Sequence, residues 1–455
     1  MPDPSRADPA PVRAALPPDD AGREVLHNEV HARPPARIRL PALVVYVAVL
    51  NADVSREDEL AHLQRLPGQA GLRLDALNAN FLRLRLRLAG HSLKWERHSE
   101  FTRYSIVQPL PPGAGAGACQ PELLAALAVD ALWLRSIPGR TIAAIELVMV
   151  DAVLDDPQRV LATGRRWFGD GPVLASRLGS GHSCAITDFQ LLPSGFERIL
   201  VMAPLDTSPT RAGRISQRLL ELETYRLMAL RGLPVAKSLA PMLFDAERAL
   251  ADITARLEGG RSSDQDLLDR LTALAAKVER ATAEHGYRFS ATQAYDSLVR
   301  QRIAELREGP IPGNQTIGEF MQRRLSPAIA TVAATAQRLA ALSQRIERAG
   351  ALLRTRVDIA GEAQNRELLA KLTRGQELQL RLQATVEGLS IAAISYYVVS
   401  LVLYAGKAAK AVGAPLNPEI AAGAAVPFVL WAVWRATRRI HRRLAVERPA
   451  AQSPT

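Results

Sequence analysis

The chain has 455 residues, with 57 Lys and Arg against 46 Asp and Glu, for a formal charge of +11. Hydrophobic residues make up 48%, enough to bury real cores, which excludes a broadly disordered chain. Two distant cysteines, Cys119 and Cys184, argue against a disulfide framework and a cysteine-based zinc site, and fit a reducing compartment.

Residues 1–22 are rich in proline and lack an apolar run. They are predicted to be a disordered leader without a secretory signal, left on the synthesis side of a membrane. Residues 23–208 alternate strand and helix signals, predicting a cytoplasmic α/β domain with a small mixed sheet. Leu40 to Leu50 is a continuous apolar run, as in a buried strand. Ser55 to Leu66 reads as a helix stopped by Pro67-Gly68. Leu82, Leu84, Leu86 and Leu88 alternate with Arg83, Arg85 and Arg87, which places leucines and arginines on opposite faces of a strand. Leu93 to Val107 is predicted to return as one strand, with Glu96 and Glu100 facing the arginine row. Pro111 to Gly117 is a linker, Glu122 to Arg135 a helix, and Thr141 to Val150 a buried strand. Cys184 to Gln190 and Arg198 to Ala203 are shorter strands.

Beyond Pro209 the pattern turns helical, and 209–387 reads as a stalk with coiled-coil-like seams. Arg211 to Arg231 forms one helix that Gly232-Leu233-Pro234 ends. Leu243, Leu250 and Leu257 recur every seven residues, as do Val332, Leu339, Ile346 and Leu353. Two long helices are predicted, from about Thr316 to Arg356 and from about Glu362 onward. Helices of that length form stalks or hairpins and pack on partners, here a second copy of the chain.

Gly388 to Gly406 carries no charge, and nineteen helical residues cover about 29 Å, the thickness of a hydrocarbon core. Ile420 to Trp434 is a shorter apolar segment interrupted by Pro427. Residues 388–434 therefore read as a transmembrane hairpin. Arg435, Arg438, Arg439, Arg442 and Arg443 follow it in the tail 435–455, where a membrane protein places orientation charge, so the basic excess reads as topology rather than nucleic-acid binding. The body and the tail are both expected on the cytoplasmic side of a bacterial inner membrane.

Four stretches resemble one bacterial family of membrane-anchored proteins, domain of unknown function 3422. They are His27 to Pro35 (HNEVHARPP), Trp95 to Phe101 (WERHSEF), Gly213 to Pro234 (GRISQRLLELETYRLMALRGLP) and Gln379 to Tyr397 (QLRLQATVEGLSIAAISYY). The resemblance implies membrane anchoring and no known activity. In layout alone the chain also resembles CorA-type divalent-cation channels. Those carry Gly-Met-Asn after the first span, where this chain reads Tyr404-Ala405-Gly406-Lys407.

Candidate ligand-binding residues are His27, Glu29, His31, Arg33, Trp95, Glu96, Arg97, His98 and Glu100. His27 and His31 are four apart, as metal ligands on a helix can be, or they lock the segment onto the sheet through hydrogen bonds. Glu96, His98 and Glu100 alternate on one strand face, either for acid–base work or as a polar face paired with arginines. Arg33, Arg37 and Arg39 could join those arginines around an anion. Arg214, Arg218, Glu221 and Tyr225 share a helix face, as intrahelical ion pairs or as contacts to a neighbouring subunit. Candidate membrane or pore residues are Glu387, Gly388, Ala392, Ser395, Tyr396 and Tyr397. A carboxylate entering a span must sit at the interface, pair or face water, and Gly388 and Ala392 allow close helix contact. Gly179 to Ser183 is glycine-rich without the lysine and spacing of a phosphate loop, and reads as a strand connection. No catalytic residue, metal site or cofactor is assigned. The sequence predicts a non-enzymatic, self-associating scaffold or ligand- or partner-binding protein. A CorA-like ion transporter or channel is the alternative, and a metal-dependent cytoplasmic enzyme a second one.

Overall fold

In the computed structural model, the described residues are 19–23, 26–27, 34–86, 91–259, 263–411, 413 and 417–446. They divide into two units, Met1–Ser262 with Asp269–Gly350, and Ser263–Leu268 with Ala351–Thr455.

The first unit is organised by the run Ala42–Leu50, which forms β1. Its alternate residues point to opposite faces, so an apolar run wets neither. Leu43, Val45, Val47 and Val49 enter one core, and Val44, Tyr46 and Ala48 the other. Each buried Val or Leu among them contributes about 1.5–3 kcal/mol. The remaining strands are β2 (Phe81–Arg85), β3 (Ser92–Arg97), β4 (Phe101–Pro109), β5 (Arg140–Asp151), β6 (Leu174–Leu178), β7 (Ser183–Leu191), β8 (Glu197–Ala203) and β9 (Gly309–Pro310). They form a single nine-stranded mixed sheet in the order β2-β3-β4-β1-β5-β8-β7-β6-β9, and β5–β8 is its parallel pair. The sheet is thus larger than expected, because the short strands flanking Gly179 and the late dipeptide β9 extend one edge.

One face is covered by α1 (Arg56–Gln64), α2 (Ala131–Arg135) and α3 (Pro157–Phe168), through Leu63, Trp133 and Trp167. Helix α1 starts where Ser55 and Asp58 cap it reciprocally. The other face is covered by α4 (Pro209–Leu230), α6 (Asp264–Leu306) and the start of α7 (Ile317–Ala411), through Leu219, Leu222, Val299 and Met321. Helix α5 (Gly232–Gly259) runs beside α6 and α7, tied by Asp252–Arg270 at 3.1 Å and Glu247–Arg338 at 2.9 Å. The heptad positions Leu243, Leu250, Val332, Leu339 and Ile346 are all buried within this chain.

Several expectations need correction. Leu93 to Val107 is a hairpin, not one strand: the His98 N–H donates to the Phe101 carbonyl at 2.8 Å, and three polar residues turn the chain. Its register sets Lys94 opposite Arg83, Ser92 opposite Arg85 and Phe81 opposite Glu96, so the arginine row does not meet the glutamates. Glu122 to Arg135 breaks into a short turn at Leu124–Ala126 and α2, because the Asp130 carboxylate accepts from the Leu132 N–H at 2.7 Å and starts a new helix. Helix α4 ends at Leu230, close to where Gly232 was expected to end it, but a new helix, α5, begins at once at Gly232, with Pro234 in its first turn, where a missing N–H has no intrahelical role. The two predicted late helices are one, α7, since Gly361 sits in an exposed helical interior without a cap.

In the second unit, α7 from Ala351 and α8 (Pro418–Val446) expose many apolar side chains, among them Leu389, Ile394, Leu401, Phe428 and Trp431. Gly406 lies against Pro418, where a Cβ would stand 3.3 Å from the proline ring. In the apolar part of α7 the partly or fully buried positions are Glu387, Ile391, Ser395, Val398, Val399, Ser400, Val402, Leu403, Gly406 and Ala409, and on α8 Pro418, Ala421, Ala422, Ala425, Val429, Val433 and Thr437. Apart from Ser400, each set falls on one side of its helix at helical spacing. Three helical runs, Pro209–Gly259, Ile317–Ala411 and Pro418–Thr437, are long and apolar enough to cross a membrane. The apolar window of the first is 33% buried, whereas those of the other two are only 6% buried.

Candidate functional site

The β3–β4 hairpin carries most of the sequence-selected residues, and the pleat separates them. Trp95 is fully buried beside Tyr104 and Leu93, on the α1 side of the sheet. Arg97 reaches Glu59 at 2.8 Å and donates to the Val54 carbonyl at 2.8 Å. At the turn, the Asn51 amide donates to the His98 carbonyl at 3.0 Å, and the His98 ring stacks on Phe101 at 4.6 Å. Glu100 is held by Arg288 of α6 at 2.6 Å and by Arg231, just after α4, at 3.6 Å.

These contacts frame a cleft of about 640 Å³ walled by Arg56, Arg97, His98, Phe101, Tyr225 and Tyr295. Tyr225 and Tyr295 stack at 5.9 Å, and Arg56 is steered by the Asn80 side-chain oxygen at 2.8 Å. Burial, reinforced by Glu100, pushes the Tyr295 phenol above its ordinary value, so it stays a neutral hydrogen-bonding group. Aromatic walls with guanidinium groups at the rim suit an anionic ligand with a flat or apolar portion.

Glu96 points to the opposite side of the sheet from Trp95, into a buried ionic network. Its carboxylate meets Arg103 of β4 at 2.5 Å and Lys94 at 3.1 Å. Arg103 also reaches Glu221 of α4 at 3.1 Å, and Glu221 is bound by Arg302 of α6 at 2.6 Å and by Gln217 at 2.7 Å. Burial opposes both carboxylate charges, but the adjoining cations outweigh it and hold Glu96 and Glu221 below the usual carboxylate range. Lys94 goes the other way, its burial outweighing Glu96. A cavity of about 30 Å³ touches Tyr46, Lys94, Glu96 and Arg103, room for about one water molecule. The ion pairs of Glu221 and Arg218 therefore run to other elements of the same chain, Arg218 pairing with Glu305 at 3.2 Å, and along its own helix Glu221 accepts from Gln217.

His27 is exposed, and its proposed partners Glu29, His31 and Arg33 lie outside the described residues. Arg37, Arg39, Arg83 and Arg85 are exposed. No group of three or more potential metal-ligating side chains occurs among the described residues. The Gly179 to Ser183 stretch connects β6 to β7, as expected. On α7, Glu387 is half-buried, Ser395 is buried, and Gly388, Ala392, Tyr396 and Tyr397 are exposed.

Sequence reasoning missed Arg56 and Tyr295 in the cleft and Arg103 and Arg302 in the network, and it singled out Tyr225 only as part of a helix face, not as a wall of the cleft. Arg103 alone carried a signal, as a charge inside an apolar strand pattern. A second missed cluster lies beneath α1: the His62 ring stacks on Trp133 at 4.3 Å and meets Tyr104 edge-on, with Glu59 fully buried nearby. Burial, then the charge of Arg65, lowers the His62 pKa to about 4, keeping the ring neutral. In a third, Glu197 of β8 and Glu223 of α4 share Arg226; burial, then the neighbouring Glu223, raises the Glu197 pKa to about 9.

A family model described as a protein of unknown function, DUF3422, matches residues 18–444. No curated protein and no solved structure matches the chain.

Proposed function

The chain belongs to the DUF3422 family of proteins of unknown function, and on that footing we propose that it is a non-enzymatic, membrane-anchored protein whose first unit binds a ligand or partner. The observation that carries the anchoring is the contrast between long apolar helices. The apolar window of the run that holds α4 and α5 is 33% buried, against 6% for those of α7 and α8. Burying so much exposed Leu, Ile, Val and aromatic surface in lipid removes its exposure to water.

The stripes on α7 and α8 and the approach of Gly406 to Pro418 support a two-span hairpin. Interfacial chemistry fits at both ends: Lys407 lies over Tyr404 at 6.0 Å and Arg435 over Trp431 at 5.0 Å. Lys371, Arg374 and Arg381 before the first span, and the arginine cluster after the second, would then share the cytoplasmic side of the inner membrane. Exposed Leu368, Leu372 and Leu382, on the charged part of α7, support pairing with a second copy of the chain. The aromatic and cationic cleft supports the binding half of the reading.

The test is alkaline extraction of membranes from cells making the full chain, with a reporter fused at the C-terminus. The chain should stay in the pellet and the reporter should be cytoplasmic. Release into the supernatant would defeat the anchoring, and an external reporter would defeat the orientation.

A further inference from the structure

Helix α4 opens with arginines on one face. Arg211, Arg214 and Arg218 recur at three- and four-residue spacing, and the first turn holds no acidic residue. A cation there opposes the positive end of the helix dipole, so packing and helix energetics do not favour it. This face borders a cavity of about 390 Å³, lined also by Gly179 of the β6–β7 turn, by Leu306 at the end of α6 and by Arg307 just after it. The walls are tied together: the Gly179 N–H donates to the Leu306 carbonyl at 2.8 Å and the Ser180 N–H to the Arg307 carbonyl at 3.2 Å.

Four arginines, Arg211, Arg214, Arg218 and Arg307, thus line the cavity with one carboxylate, Glu305. That carboxylate is already shared by Arg218 at 3.2 Å and Arg302 at 2.7 Å. Among the described residues, Arg211, Arg214 and Arg307 form no salt bridge. Arg307 moreover adopts φ +46°, a left-handed conformation uncommon for a residue with a side chain. Three like charges around a fixed cavity repel one another, and a multiply charged anion removes that repulsion. Guanidinium forks match phosphate oxygens in pairs, and fixed walls reduce the ordering cost of binding. Leu178, Ile215 and Leu306 offer apolar contact to an organic substituent.

We propose that this cavity is a binding site for a phosphate-bearing anion, with Arg211, Arg214 and Arg307 as its charge partners. The proposal goes beyond membrane anchoring and beyond the hairpin cleft, and rests on neither. The shared chemistry is a phosphate group, carried by a soluble metabolite or by a lipid headgroup.

The test is isothermal titration of the full chain in detergent micelles with inorganic pyrophosphate and, separately, with short-chain phosphatidic acid. At least one probe should saturate a single site, with affinity falling as salt is raised. Tighter binding of pyrophosphate identifies a soluble source, and tighter binding of phosphatidic acid a lipid one. Arg307→Gly should weaken binding about ten- to hundredfold while keeping or raising the thermal midpoint, because glycine suits the positive φ. The double variant Arg211→Gln/Arg214→Gln should abolish saturation in this range. Absence of saturable binding by either probe, or wild-type affinity in both variants, overturns the proposal.

Discussion

Arg103 on β4 bridges Glu96 on β3 at 2.5 Å and Glu221 on α4 at 3.1 Å, with all three side chains nearly sealed from water. The guanidinium thereby fastens the sheet to the helix that covers it. Arg103→Met leaves two buried carboxylates short of a counter-charge, and should destabilise the first unit by about 3–5 kcal/mol. Urea unfolding of the full chain, followed by tryptophan emission, measures it; a loss below about 1 kcal/mol would mean the network contributes little. The same carboxylates have depressed folded pKa values. Their stabilisation is present above the ordinary Glu range and is lost as pH falls through it and below.

Glu197 should show the opposite dependence. Its raised folded pKa, about 9 against 4.5, means that the folded state prefers it protonated. Its contribution is intact below pH 4.5 and is lost as pH rises toward 9. Glu197→Gln keeps the neutral shape and should raise the urea midpoint at pH 8 while leaving it unchanged near pH 4. An equal shift at both values would contradict the assignment.

His62 titrates in a third window. The ring is neutral in the fold, with a pKa of about 4, and has an ordinary value of 6.5 when unfolded. Stability should therefore fall as pH drops from 6.5 toward 4. His62→Phe, which preserves the stack on Trp133, should flatten that part of the profile in a pH series of thermal midpoints.

Gly213 should tolerate no side chain. A Cβ there would lie 1.6 Å from the Ala36 carbonyl oxygen, so the segment before β1 could not stay seated on α4. Gly213→Ala should lower stability by about 1–3 kcal/mol or more, read from the same denaturation curves. Gly259→Ala, with open space around it, should be close to neutral.

The parts legible from sequence were those in which neighbouring residues share one fate. The run Ala42–Leu50 had to be a central strand, because both of its faces are apolar. Ser55 to Leu66 was legible as a helix from its spacing and its Pro67-Gly68 stop, and the Ser55–Asp58 cap that starts it is equally local. The hairpin was misread because alternation of Glu96, His98 and Glu100 normally marks a solvated face. Here Glu96 is buried and finds Arg103 on the next strand and, through it, Glu221, 118 residues from Arg103. No spacing rule links such partners, which topology alone brings together. Arg307 was equally silent, since its importance comes from a left-handed backbone and a helix nearly ninety residues earlier. Polar residues around Gly361 resemble a break in sequence, yet nothing there caps one and α7 runs through.

Membrane anchoring is the central claim, and flotation of the purified full chain with lipid vesicles tests it most directly. After detergent removal the chain should rise with the vesicles in a density gradient and stay there in high salt and at alkaline pH. A chain that remains monodisperse at the bottom of the gradient, free of detergent and lipid, would contradict the account.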